Sequence, residues 1–196
     1  MIYNHNEIQI DIETLGSRPS SAICTIGAVA FDFDNDVLGR EFYINIIPES
    51  CYQFGLTTDQ DTLAWWDKQS EAAQAALYSD DAVPLDVGMQ MLQDFIKTVR
   101  KESRVGKFGI WGNDPSFDMI ILENAYRAVN KNPPWMFWEH RSVRTICDLA
   151  KRMHGIETKK AMTRGGTYHN ALDDAKFQSL YTKYAFDLLR PQKVAA

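Results

Sequence analysis

Asp11 and Glu13 stand one residue apart in "IQIDIETLG", where Ile8, Ile10 and Ile12 alternate with Gln9, Asp11 and Glu13. Successive side chains of an extended segment point to opposite faces, so the isoleucines share one face and both acids the other. Taken alone, such a pair is most often the polar face of a strand edge. Three further pieces give it partners: Asp118 in "WGNDPSFD", then His169 and the Asp173–Asp174 pair in "HNALDD". Hard divalent cations take oxygen ligands, and two metals about 3.5–4 Å apart need several carboxylates to balance their charge. A histidine, with an ordinary pKa near ~6.5, accepts protons at neutral pH. These types together point to metal binding beside a proton acceptor.

The elements that must position them can be read from pattern. Strands are expected over Glu7 to Thr14, over "SAICTIGAVAFDFD", and over "VLGREFYINII", which Pro48 ends. They read as an antiparallel meander, with Gly27 marking a bend. Thr58 or Asp59 can cap a helix carrying "TLAWWDKQ", and Ser70 can cap "EAAQAALY". Leu85, Met89, Leu92, Phe95, Ile96 and Val99 form a helical stripe. The strand "KFGIWG" leads into a helix whose first turn suits Pro115, and "VRTICDLAKRM" is another helix. The loop "TRGGTYH" precedes a long final helix. Strands first, then a strand between helices, make an α/β chain with a mixed sheet.

The chain has 196 residues, 45% of them hydrophobic and 24% charged, which suits one domain spanning 1–196 with a sizeable core. No apolar run near either end approaches the ~18 residues of a membrane span, and "MIYNHNEIQ" lacks the regions of a signal peptide. Cys24, Cys51 and Cys147 are widely spaced among apolar neighbours, so reduced thiols and a cytoplasmic location are expected. The net charge of −5 argues against generic nucleic-acid binding. Its distribution does not, because Lys131 to Asn170 holds eight basic residues against three acidic ones.

In order, spacing and context, "DIETLG", "NDPSFD" and "HNALDD" resemble the three sequence blocks of the DEDDh 3′–5′ exonucleases of the RNase H-like superfamily. "TLAWWDKQ" is similar to the subgroup holding exoribonuclease AS and phage-type exonucleases. The resemblance implies an RNase H-like fold with a mixed central sheet of about five strands flanked by helices. It also implies a single-stranded 3′ end of DNA or RNA as partner, with release of 5′-mononucleotides. Two Mg²⁺ ions, with Mn²⁺ as a substitute, would be held by Asp11, Glu13, Asp118 and Asp174. Asp11 would bridge both metals, and Glu13 and Asp174 would help hold the one that binds the attacking water. Asp118 would serve the other metal, and His169 would be the general base. Relatives often form homodimers, and "NPPWMFWEH" can contribute to an interface or simply pack as a loop. An oligoribonuclease-like enzyme and a catalytically silent binding module are the alternatives. Retention of all four acids and the histidine argues against the latter.

Two choices remain local. Were His169 helical, Asp173 would share its face. "RGGTY" is loop chemistry, however, and Asn170 is a good N-cap, so His169 should lie just outside the helix and Asp173 at its third position. Asp174 is then the ligand, in agreement with the family's spacing. In relatives the segment Thr14, Leu15 and Gly16 meets the terminal nucleoside, and Gly16 would let the chain turn closely beneath it. Trp65 or Trp66, but not both, can stack on a base. Phe117 is a stacking face or core, and Arg164 and Lys159–Lys160 are candidates for phosphate contact. His5, His140 and His154 are read as structural. Asp174→Asn is expected to abolish hydrolysis while Asp173→Asn retains it, and assays showing the reverse would move the ligand to Asp173.

Overall fold

In the computed structural model, which describes residues 5–103 and 106–191, the alternating segment forms strand β1 (Glu7–Thr14). β2 (Ile23–Phe31) and β3 (Glu41–Asn45) continue it as the expected antiparallel meander. β4 (Gly109–Gly112) pairs parallel on the other side of β1, and β5 (His140–Ser142) adds parallel to β4. The order β3-β2-β1-β4-β5 is a mixed five-stranded sheet with β1 at its centre. With three residues, His-Arg-Ser, β5 has no alternation to read.

Between β3 and β4 come α1 (Pro48–Gln53), α2 (Gln60–Trp66), α3 (Glu71–Leu77) and α4 (Leu85–Glu102). α5 (Asp118–Ala128) follows β4, and α6 (Val143–His154), α7 (Thr158–Ala161) and α8 (Ala171–Leu189) follow β5. Ser70 caps α3 as expected, its hydroxyl accepting the Ala73 N–H at 3.2 Å. Asp59 precedes α2 without capping it, because its carboxylate instead accepts the Ser17 N–H at 2.8 Å. Pro115 lies in a turn before α5, not in its first turn. There the Asp114 carboxylate accepts from the N–H and hydroxyl of Ser116, and α5 begins at Asp118 itself.

Both faces of β1 are covered, so the strand-edge reading of Asp11 and Glu13 fails. Ile8, Ile10 and Ile12 enter a core with Met89, Leu92 and Ile96 of α4 and Ile121 and Leu122 of α5. The other face lies under α8, which crosses β1 and β2 and packs beside α6. Phe31, Trp111, Val143, Phe177 and Tyr181 form a second apolar cluster there. Cys24 and Cys51 are buried, Cys147 is partly so, and all three are unpaired. In "NPPWMFWEH", Trp135 is buried while Met136, Phe137 and Trp138 are exposed. Among the described residues, no helix is long and apolar enough to cross a membrane.

Gly27 corrects another expectation, since it marks a contact and not a bend. A Cβ there would stand 2.2 Å from the Ala171 carbonyl carbon and the Leu172 nitrogen, so the start of α8 rests on the backbone of β2. Gly27→Ala must push the helix away. Overpacking of this kind costs ~1–3 kcal/mol, and a lower denaturation midpoint together with reduced hydrolysis is expected. A variant as stable as the unmodified protein would disprove the close approach.

Candidate active site

The acid-bearing face of β1, the start of α5 and the entry to α8 surround one hollow of about 530 Å³. Asp11, Glu13, Asp118, His169 and Asp174 all line it. A carboxylate oxygen from each of Glu13 and Asp174 and a ring nitrogen of His169 lie within 4.8 Å of one another. The β1–β2 register shifts between Glu13 and Thr14, an irregularity of the kind that re-aims side chains beside sites.

His169 adopts the left-handed conformation, with φ of 62°, just before the helix. Its N–H donates to Asp174 Oδ2 at 2.9 Å, and the rings of Trp65 and Trp66 stand edge-on to the imidazole at 5.0 and 5.9 Å. Asn170 caps α8, its side-chain oxygen accepting the Asp173 N–H at 3.1 Å. Asp173 turns away from the hollow, and its carboxylate accepts the Thr167 N–H at 2.8 Å. The adjacent acids therefore separate: Asp173 braces the loop and Asp174 faces the hollow.

Gln178 was missed by sequence reasoning. Its Nε2 donates to Asp11 Oδ1 at 2.7 Å and its Oε1 accepts from Gln9 Nε2 at 2.6 Å, which fixes the Asp11 carboxylate. The available signal was its position four residues after Asp174, on the same helix face. Arg144, Ser116 and Tyr168 also line the hollow without a sequence signal that singled them out.

Arg164, a candidate for phosphate contact, lines the hollow with its guanidinium already engaged. Its guanidinium is buried against Asp174, donates to the Thr167 carbonyl at 2.7 Å, and lies 4.2 Å from the Tyr168 ring centroid. Lys160 is paired with Glu157, while Lys159 lines the hollow. A smaller hollow of about 190 Å³ adjoins the acids through Ile12, Glu13 and Phe117 and is also lined by Thr14, Gly16, Trp65 and Trp66. Trp66 is buried and donates its indole N–H to the Thr14 carbonyl at 2.9 Å, whereas Trp65 is 42% exposed. Trp65 is thus the exposed indole of the pair. Leu15 does not line this hollow and packs in the core. Gly16 makes room for its own turn, since a Cβ there would stand 2.7 Å from Ser21 Oγ. His140 sits 3.2 Å from Glu123, and His5 contacts the Val37 carbonyl, both away from the acids.

Crowded, buried carboxylates resist ionisation. Burial pushes Asp11 well above the usual carboxylate range, the charges of Asp118, Glu13 and Asp174 add to it, and the Gln178 hydrogen bond opposes. Burial, then the charges of Asp174 and Asp118, push Glu13 up to about 8. Burial raises Asp118 to about 7 against backbone hydrogen bonds. An oxygen-rich, net-negative donor set with one open side fits a hard divalent cation such as Mg²⁺ or Mn²⁺.

Acids from a central strand and two helices, with a histidine at the entry to the last helix, define the DEDDh class of 3′–5′ exonuclease. Residues 6–186 match the 3′–5′ exoribonuclease Rv2179c-like domain, and the chain belongs to that family. The exodeoxyribonuclease of Enterobacteria phage T4 is 27% identical over 201 residues, covering 90% of this chain and 87% of the relative. Among solved structures, cell-death related nuclease 4 superposes with a TM-score of 0.66 at 13% identity, over 93% of this chain and 64% of that one. The nuclease domain of 3′hExo, a DEDDh family member bound to rAMP, gives 0.63 at 14% identity over 94% of both chains. At these identities the structural likenesses establish the fold alone. The protein is a 3′–5′ exonuclease acting on nucleic acid.

Carboxylates with raised values hold protons in the folded protein that the unfolded chain has already released. Stability of the metal-free protein should therefore fall as pH rises from about 5 through about 8, the pH at which Glu13 gives up its proton. Thermal melts in chelator are expected to show that decline, and Mg²⁺ should recover most of the loss at the alkaline end. A melting temperature in chelator that is flat across this range would refute the electrostatic account.

Proposed function

We propose that the protein hydrolyses the last phosphodiester bond of a single-stranded 3′ end and releases a 5′-mononucleotide, with two Mg²⁺ ions held by Asp11, Glu13, Asp118 and Asp174. The observation that carries this reading is the meeting of four acids from three separate elements with His169 around one hollow. When bound, the metals supply an activated water and stabilise charge on the scissile phosphate and the leaving oxygen.

The chain's own groups do the rest. His169 takes the proton of the attacking water at an imidazole nitrogen; its backbone N–H is tied to Asp174, and its ring is flanked by the two indole edges. Gln178 keeps the Asp11 carboxylate from rotating. Trp65 offers an exposed indole on which the terminal base stacks, a contact worth ~1–3 kcal/mol. The family's description supports RNA as substrate, and the phage relative's name supports DNA, so both sugars belong in the assay. The three unpaired cysteines support a reducing, cytoplasmic setting.

The test offers 3′-labelled and 5′-labelled DNA and RNA strands with Mg²⁺, Mn²⁺ or EDTA. Labelled mononucleotide should appear at once from the 3′ label, a shortening ladder from the 5′ label, and nothing with EDTA. His169→Ala should lower kcat by roughly 10²–10⁴-fold while the variant still binds the strand. Internal fragments, or no mononucleotide with either metal, would sink the proposal.

A further inference from the structure

A third hollow, of about 420 Å³, opens between α6, α7 and α8. It shares Asn113, Arg144 and Lys159 with the acid-lined hollow, whereas the Trp65 hollow meets the acids through Ile12, Glu13 and Phe117. The two outer hollows have no lining residue in common, so the three form a track with the acids in the middle. The third hollow is large enough for a ligand, since such pockets run from ~300 to 1,000 Å³.

The two ends of the track differ in charge. Among the described residues no lysine or arginine lines the Trp65 end, where Glu13 is the charged group. Arg144, Lys151, Lys159 and Lys160 line the other end, against Asp148 and Glu157. Arg144 pairs with Asp114, and Lys151 and Lys160 both pair with Glu157. Among the described residues no acid pairs with Lys159, which lines both this hollow and the acid-lined one. Beneath the cations the floor is apolar, built from Val143, Cys147 and Tyr181.

A strand cut at its 3′ end divides in the same way. The terminal nucleoside carries no phosphate beyond the scissile one, and every remaining phosphate lies on the 5′ side. A cation-free end suits the nucleoside, and a cationic end suits the polyanion. We propose that the hollow between α6, α7 and α8 is the subsite for the nucleotide immediately 5′ of the scissile bond. Its base lies on the Val143–Cys147–Tyr181 floor and its phosphate on Lys159. The assignment rests on the exonuclease reading and adds the direction in which the strand leaves.

The test separates the two. The p-nitrophenyl esters of thymidine and uridine 5′-phosphate carry a nucleoside and a scissile phosphate but no upstream strand, whereas pentathymidylate and pentauridylate carry both. In the sugar series cleaved faster, Lys159→Glu should lower the ratio of kcat/KM on the pentamer to kcat/KM on the ester about tenfold, equivalent to ~1.4 kcal/mol. Cys147→Phe, which fills the floor, should lower the same ratio in protein whose melting shows it folded. A Lys159→Glu ratio equal to that of the unmodified protein would show that the strand leaves by another route, with the exonuclease reading intact. Failure of the unmodified protein on both substrates would overturn that reading, and the subsite with it.

Discussion

Helix α8 meets strand β2 backbone to backbone at Gly27, and Gly27 is the residue opposite Asp11 in the ladder. That contact sets the height of the helix above the sheet at the level of the first acid. Asp174 and Gln178, one turn apart, come down on the acid face of β1, and Gln178 closes a hydrogen-bonded chain from Gln9 to Asp11. The Asn170 cap determines where the helix starts, so His169 falls in the left-handed residue before it and its N–H reaches Asp174. α6 packs on α8, so the wall of the third hollow inherits the same placement. A side chain at position 27 would separate these parts together.

The two faces of β1 act in opposite directions. Ile8, Ile10 and Ile12 are buried, each such side chain stabilising the fold by ~1.5–3 kcal/mol. Two residues on the other face, Asp11 and Glu13, are held where burial and neighbouring charge penalise ionisation. Arg164 offsets part of that penalty at Glu13, and the Gln178 amide offsets part at Asp11. The strained electrostatics are local, and a rigid apolar layer beneath them keeps the carboxylates from drifting apart. A strand edge in water would leave the same acids free to ionise and to spread, with little affinity for a cation.

Neighbouring residues divide roles because a helix turns sharply at each step. Trp66 points inward and ties its indole N–H to the Thr14 carbonyl, while Trp65 stays exposed, and both rings flank His169. Asp173 serves the loop backbone while Asp174 serves the hollow. In each pair one residue ties down the backbone beside which the other faces the open site.

Much of this was legible from local pattern. The alternation around Asp11 predicts β1 and the shared face of its acids, the stripe from Leu85 predicts α4, and Asn170 after a glycine-rich loop predicts the start of α8. These follow from backbone periods and caps that act over a few residues, and the three acid-bearing motifs in order carried the family resemblance. Other features depended on the folded chain. Gln178 meets Asp11 across a separation of 167 residues, and Gly27 meets the start of α8. Arg164 is withdrawn onto Asp174, and Gly16 serves its own turn. The three-residue β5 is a strand only because β4 pairs with it. By itself the sequence determined which groups face which side of each element. Which groups touch was decided by the tertiary structure, because backbone approach and the neutralisation of crowded charge arise only when distant elements pack.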